Sequence, residues 1–174
     1  MGKVKEHRPV KLVIGMFTNR PELFQGALRA LKKRFGPVDY ESPLLPFDRM
    51  DYYEEEFGKD LERKFYSFKK LIKAEDLAKI KIFTNSLERK FSEGGNRPIN
   101  LDPGYLAPAK LVLATTKDYQ HRIYYEKGIY GEVTLRYKRG SFIPWEWTYP
   151  DYRTKEYIEI FNHIRKIYME QLRQ

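Results

Sequence analysis

The chain has 174 residues, a length that suits one domain spanning 1–174 and is too short for two comfortable ones. It contains no cysteine, which excludes disulfides, thiolate metal ligands and a cysteine nucleophile. The formal net charge of +9 favours polyanionic partners without specifying one. Residues 1–9 are polar, so we expect no signal peptide there, and no apolar run reaches the length of a membrane span. We therefore expect a cytoplasmic protein without membrane association, and the composition resembles that of thermophile proteins.

In the N-terminal part of the chain, the continuous apolar run 11–18 predicts a central strand. Apolar residues at helical spacing then predict a helix that Gly36 and Pro37 end. The apolar residues of this helix are Phe24, Ala27, Leu28, Leu31 and Phe35. Residues 38–47, which follow it, are expected to be extended.

In the middle of the chain, residues 52–57 are expected to form a further extended segment that carries three adjacent glutamates. Helical spacing of apolar residues predicts one helix over 61–72 and another over 77–91. The second ends before Gly94 and Gly95, because consecutive glycines favour a loop.

The stretch 100–135 contains most of the polar residues that look placed rather than scattered. Residues 98–106 alternate as a strand does, and the turn dipeptide Pro103-Gly104 is expected to end the run. The run 107–116 is ambiguous between a helix and a buried strand, and we favour the helix because Pro108 suits its first position.

A β-hairpin follows, with extended runs 121–125 and 129–137 flanking the loop 126–128. A two-residue turn requires positive φ at Lys127, which a lysine resists. We therefore expect a three-residue loop that ends in Gly128 as a left-handed bulge residue.

The register of this hairpin places Arg122 directly across from Glu132. The simplest interpretation of the two residues is an ordinary cross-strand ion pair, and the functional one is a pair at the floor of a polar pocket. The same register gives the hairpin one apolar face, formed by Ile123, Tyr125, Ile129, Val133 and Leu135.

At the C-terminal end, residues 140–150 are rich in aromatic side chains, which more often cover a core than stack on a ligand. Thr154 is the expected N-cap of a last helix, and His163 beside its apolar stripe is expected to be structural. The element order predicts an α+β fold: a sheet with helices packed on one face, a ferredoxin-like core and a C-terminal hairpin and helix.

The common nucleotide, metalloprotease and hydrolase motifs are missing from the sequence, including GxxxxGK[ST], GxGxxG, HExxH and GxSxG. His7, His121 and His163 lack metal-ligand spacing, so we expect no zinc site and assign no metal ligand among them. No cofactor and no oligomeric state follow from these patterns.

The polar residues of the stretch 100–135 favour a site for a small anionic ligand, such as a nucleotide or a sugar phosphate. Arginine and lysine bind such groups, so Lys117 and Arg122 are the expected anion ligands. Asp102 or Glu132 is the candidate general base or divalent-ion ligand, and His121 the candidate proton carrier. If a pocket exists, it should contain Asp102 and Arg122 together. The further candidate ligand-binding residues are Asp118, Tyr124 and Tyr130.

Two other functions fit the same sequence. The basic charge and the hairpin tyrosines, Tyr124 and Tyr130, suit an RNA- or DNA-binding module, because aromatic rings stack on bases. The aromatic loop with Trp145 and Trp147 instead suits a surface that contacts another protein.

Four motifs carry a resemblance to a known family: NLDPGY (100–105), ATTKDYQHR (114–122), GIYGEVTL (128–135) and TYPDYR (148–153). With them the chain resembles, over nearly its whole length, a prokaryotic family catalogued only as a domain of unknown function, DUF4416. The resemblance implies no activity, substrate or catalytic residue.

Overall fold

A nine-stranded antiparallel sheet forms the centre of the computed structural model, which describes residues 2–48, 53–92 and 94–174. Four α-helices occur in these ranges: α1 (Leu23–Phe35), the short α2 (Glu54–Phe57), α3 (Leu77–Phe91) and α4 (Lys155–Gln171). The strands are β1 (Lys11–Thr18), β2 (Val38–Glu41), β3 (Leu45–Pro46), β4 (Glu62–Phe68), β5 (Asn100–Ala107), β6 (Lys110–Thr115), β7 (Arg122–Glu126), β8 (Ile129–Lys138) and β9 (Ser141–Pro144).

The strands follow the order β2-β4-β1-β5-β6-β8-β7, with β3 beside β4 and β9 beside β8. Successive residues of β1 point to opposite faces, as in any strand. Leu12 and Ile14 pack in one core cluster with α1 and α3, whereas Val13 packs in another with Phe161 and Ile164 of α4. The sheet is therefore covered by α1 and α3 on one face and by α4 on the other.

The predicted α+β class is confirmed. The predicted α1 and α3 pack on one face, and α4, which the sequence left unplaced, packs on the opposite face. The finer prediction, a ferredoxin-like core, stays a prediction. Within the described residues, the structure contains no helix that is both long and apolar enough to cross a membrane.

Four features with a clear local sequence pattern form as predicted: the strand β1, the helices α1 and α3, and the N-cap of α4. The strand β1 has the predicted bounds, and the helix α1 ends as predicted at Gly36, which has a positive φ of 87°. The predicted helix 77–91 is α3. Thr154 caps α4, because its hydroxyl accepts a hydrogen bond from the Tyr157 backbone N–H at 3.3 Å.

Two predictions for residues 52–72 are wrong. Glu54–Phe57 is the short helix α2 rather than an extended segment, and Tyr52 lies outside the described residues. Residues 62–68, predicted as part of a helix, form the strand β4 between β1 and the pair β2 and β3. Because this strand is covered on both faces, apolar residues occur on both sides of it and imitate a helical spacing.

The predictions for Pro103-Gly104 and for 107–116 are also wrong. The strand β5 continues through Pro103, whose missing N–H removes no bond to β6 because the β5–β6 pairing begins at Gly104. A Cβ on Gly104 would lie 2.5 Å from the Val112 carbonyl oxygen, so only glycine fits there. Residues 110–115 form the strand β6, the alternative that the sequence allowed.

The hairpin has the predicted pairing of Arg122 with Glu132 but not the predicted loop. Lys127 (φ 51°) and Gly128 (φ 77°) form a two-residue turn, and Glu126 pairs with Ile129. A β-bulge between Tyr124 and Glu126 then adds one residue to β7, which restores the predicted pairing of strand positions 122 and 132.

The apolar face predicted for the hairpin is only partly buried. Ile129 and Leu135 are in the core, but Ile123 is 69% exposed. The reason is that β7 is the last strand of the sheet and has no neighbour beyond it among the described strands.

Candidate functional site

The sheet opens between β5 and β6, and a cavity of about 210 Å³ lies in the opening. Pairing between these strands stops at Gly104 and Leu113, although β5 continues to Asn100 and β6 to Thr115. The ends of β5 and β6 that do not pair with each other line the cavity, together with residues of β4, β8, α3 and the segment after β9. Its charged lining residues are Glu56, Arg63, Lys81, Arg97, Asp102, Lys117, Arg122, Glu132 and Asp151.

At one side of the cavity, Arg63 of β4 forms a sealed ion pair with Asp151. Its Nη1 donates to Asp151 Oδ2 at 2.6 Å, and the side chains are 3% and 5% exposed. The guanidinium lies 4.1 Å from the Phe47 ring centroid. Burial opposes the Arg63 charge, but the neighbouring tyrosines and the carboxylates of Asp151 and Asp102 outweigh it and raise the pKa of Arg63.

Asp102 of β5 lies on the cavity floor and is held more loosely. One carboxylate oxygen is 3.5 Å from Arg63 Nη2 and the other is 3.6 Å from Lys81 Nζ. The Lys81 ammonium, which is buried, donates its short hydrogen bond to the Leu101 carbonyl at 3.1 Å instead. With 28% of its side chain exposed, Asp102 keeps acceptor capacity directed toward the cavity.

Glu132 of β8 is 2% exposed and joins several donors. Its Oε1 accepts from Arg122 Nε at 3.2 Å and from His121 Nε2 at 2.7 Å, while Oε2 accepts from the Thr134 hydroxyl at 3.1 Å. The remaining Arg122 nitrogens donate to the Lys117 carbonyl at 2.9 Å and to the Tyr149 hydroxyl at 2.7 Å. Arg122 is therefore fixed in orientation at the cavity wall.

Tyr149 and Tyr53 give the cavity an aromatic wall beside these charges. Burial raises the pKa of both hydroxyls, so the two side chains are neutral donors at physiological pH. Phe47 continues the same wall and stacks on Phe17 at a centroid distance of 4.5 Å. An apolar ring face next to charged groups suits the mixed surface of a sugar or a nucleoside.

On the opposite side, Arg97 is held from two directions. Its Nη1 donates to Glu88 at 2.9 Å and to Asn100 at 3.0 Å, and its Nε and Nη2 donate to the two Glu56 oxygens at 2.5 and 3.1 Å. Glu88 also accepts from the Leu101 backbone N–H at 2.6 Å. Burial raises the pKa of Glu88, although Lys81, the Leu101 N–H and Arg97 oppose this shift.

The predicted site residues separate into three groups. Asp102, Lys117, Arg122 and Glu132 all line the cavity, so the expected meeting of Asp102 and Arg122 occurs. His121 lies behind Glu132 and stacks on Trp147 at 5.3 Å, outside the lining. The remaining three do not line the cavity: Asp118, Tyr124 and Tyr130.

Tyr124 and Tyr130 contact each other edge to face at 5.3 Å, with Tyr124 57% exposed. In the aromatic loop, Trp145 and Trp147 stack at 4.9 Å and both are half-buried. Most of the loop's aromatic surface therefore packs within the protein.

A comparison with protein families matches residues 8–168 to the model described as "Domain of unknown function (DUF4416)". The chain belongs to this family. No curated protein and no solved structure matches it. Membership in DUF4416 supplies no activity, so the function of this member is argued from its cavity.

Sequence reasoning missed the cationic residues that come from other parts of the chain. Arg63 lies in a strand that was predicted as a helix, and Lys81 and Arg97 are distant in sequence from the stretch 100–135. A signal existed for Asp151, which stands in the TYPDYR motif. In the described part of the chain, no cluster of three or more acidic or histidine residues is suited to hold a metal ion.

Proposed function

We propose that the cavity binds a small hydroxylated organic anion, such as a sugar phosphate or a nucleotide. The observation that carries the proposal is the Asp102 carboxylate, 28% exposed and contacted by Arg63 and Lys81 only at 3.5 and 3.6 Å. A carboxylate in this state accepts hydrogen bonds from ligand hydroxyls, while the surrounding cations favour a negatively charged group.

The energetics of the charged wall support a binding role. Buried ion pairs are weak evidence for stability, because the cost of desolvating both charges offsets most of their attraction. Nine charged residues from distant parts of the chain line this one cavity. Such a concentration of charged groups in a cleft is typical of functional sites.

The geometry also suggests separate roles. Glu132 is enclosed by Arg122, His121 and Thr134, so it positions Arg122 rather than contacting the ligand. Asp102 is the carboxylate placed to accept a proton from a ligand hydroxyl, and we propose it as the general base if the bound molecule reacts. His121 acts through Glu132 in this scheme.

Isothermal titration with ribose 5-phosphate, glucose 6-phosphate and AMP tests the proposal, with ribose and glucose as uncharged comparisons. We expect binding of a phosphorylated compound and a loss of about tenfold or more in Asp102→Asn, because the ligand hydroxyl then donates to a neutral amide oxygen instead of a carboxylate. Glu159→Gln, at an exposed helix pair with Lys155, is the control and should bind as the wild type does. Equal affinity of Asp102→Asn and wild type would contradict the role of Asp102.

The nucleic-acid alternative rests on the exposed ring of Tyr124 and on the basic charge. It predicts that binding of a mixed single-stranded RNA weakens steeply as salt rises and weakens further in Tyr124→Ala. Fluorescence anisotropy at two salt concentrations measures both effects, and the absence of salt-dependent binding would exclude this function.

A further inference from the structure

The guanidinium of Arg97 binds buried residues on one edge and an exposed carboxylate on the other. The Nη1 group is anchored on the inner side by Glu88 and Asn100, which are both buried. The Nε–Nη2 edge faces outward and holds Glu56 with one oxygen on each nitrogen, at 2.5 and 3.1 Å. This two-point geometry is the one by which arginine binds carboxylates and phosphates.

The outer pair is far more accessible than the inner one. The side chains of Arg97 and Glu56 are 32% and 38% exposed, whereas that of Glu88 is 4% exposed. Exposed ion pairs contribute little to stability, so the Glu56 carboxylate is replaceable by another anion at small cost. The inner contacts meanwhile keep the guanidinium oriented.

The outer edge of Arg97 also lies at the junction of two cavities. A second cavity of about 330 Å³ shares Glu56, Lys81, Arg97 and Thr116 with the first. Its lining further includes Arg89, so three cations line this second cavity.

The wall beside Arg97 contains a buried donor with no partner among the described residues. Asn100 uses its Oδ1 to accept from Arg97, but its Nδ2 makes no hydrogen bond to them, and the residue is 5% exposed. Buried donors are almost always satisfied in native proteins. A phosphate offers more acceptor oxygens than a carboxylate, so it suits the outer edge of Arg97. Asn100 itself lines the first cavity, where its amide faces the part of the ligand that would extend there from Arg97.

We propose that the Nε–Nη2 edge of Arg97 is the position of the ligand's phosphate group, and that the Glu56 carboxylate competes with the phosphate for it. This inference rests on the proposed function and narrows it to phosphate esters that span the junction. The phosphate lies between Arg97 and Lys81, and the hydroxylated part extends into the first cavity toward Asp102. By this competition, Glu56 lowers the affinity of the site for the phosphate ester.

The test is isothermal titration of inorganic pyrophosphate and ribose 5-phosphate into wild type, Glu56→Gln and Glu159→Gln. Removing the competing carboxylate should tighten binding of both probes, by up to about fivefold, the factor that corresponds to an exposed ion pair. Glu159→Gln changes the net charge equally at a distant exposed pair and should leave affinity unchanged. Arg97→Lys, which keeps the charge but loses the two-point geometry, should weaken binding of both probes.

The outcomes separate this inference from the proposed function. Phosphate esters that bind to wild type and lose affinity in Asp102→Asn, but bind equally or more weakly to Glu56→Gln, would overturn the phosphate position and leave the proposed function standing. If Glu159→Gln tightened binding as much as Glu56→Gln does, the change in net charge alone would explain the effect, and the inference would be overturned. Failure of every probe with both wild type and Glu56→Gln would reject the proposed function and the inference together.

Discussion

The two sides of the cavity contain the same pair of groups, an arginine and a carboxylate, in opposite environments. Arg63 and Asp151 are 3% and 5% exposed and enclosed by aromatic rings. Arg97 and Glu56 are about one-third exposed and border two cavities. The distances, 2.6 Å for one contact and 2.5 Å for the other, do not distinguish them.

The difference in solvent access decides what each pair contributes. A sealed pair cannot lose one partner without leaving a charge in a medium that solvates it poorly, so the partner is irreplaceable. An open pair is screened by water and exchanges its anion at small cost. The Arg63 side is therefore suited to hold the cavity together, and the Arg97 side to exchange its anion for a ligand.

The largest expected effect is at the sealed pair. Among the described residues, Asp151→Asn leaves Asp102, at 3.5 Å, as the one carboxylate paired with the Arg63 charge, and it should lower the free energy of unfolding by about 3–5 kcal/mol. Urea unfolding followed by circular dichroism measures the change. A loss below about 1 kcal/mol, the value of an exposed pair, would remove the distinction between the two sides.

An intermediate effect is expected at Glu132, which is buried but whose partner Arg122 makes other hydrogen bonds. Glu132→Gln should lower the free energy of unfolding by about 1.5–3 kcal/mol, because Arg122 keeps its bonds to the Lys117 carbonyl and the Tyr149 hydroxyl. The same variant should weaken binding of the phosphorylated probes, since Arg122 loses its orientation. Unfolding and titration of one protein sample measure both, and unchanged binding would show that Glu132 is structural only.

A pH effect is expected at Glu88, which lies behind the open pair. Its raised pKa means that, above about pH 4.3, the ordinary glutamate value, the folded protein binds a proton that the unfolded chain releases. Its contribution is greatest below that pH and is lost as pH rises through the raised pKa, at no more than about 1.4 kcal/mol per pH unit. Glu88→Gln should flatten this part of the profile of unfolding free energy against pH. An identical slope in both proteins would contradict the shift.

The smallest expected effect is at the open pair. Glu56→Gln should change the free energy of unfolding by less than about 1 kcal/mol, because both side chains are about one-third exposed. Thermal unfolding of Glu56→Gln, compared with wild type and with Glu159→Gln, measures this change. A loss as large as that of Asp151→Asn would show that the Glu56–Arg97 pair is structural, like the sealed one.

Local sequence patterns were sufficient for elements whose environment differs between their two sides. The helices α1 and α3 and the cap of α4 follow from a single apolar stripe, a terminating glycine and Thr154, because these signals arise within the element itself. The pairing of Arg122 with Glu132 was also predicted, since only one register groups the polar residues of β7 and β8.

What the sequence alone determined is therefore the α+β class, the main helices, and the contribution of 100–135 to the cavity. Only the tertiary structure decided that β4 and β6 are strands, because residues covered on two faces lose the alternation that identifies a strand. It also decided which distant cations meet Asp102. Arg63, Lys81 and Arg97 reach the cavity through strand order and the opening between β5 and β6, and these long-range contacts leave no periodic trace in the chain.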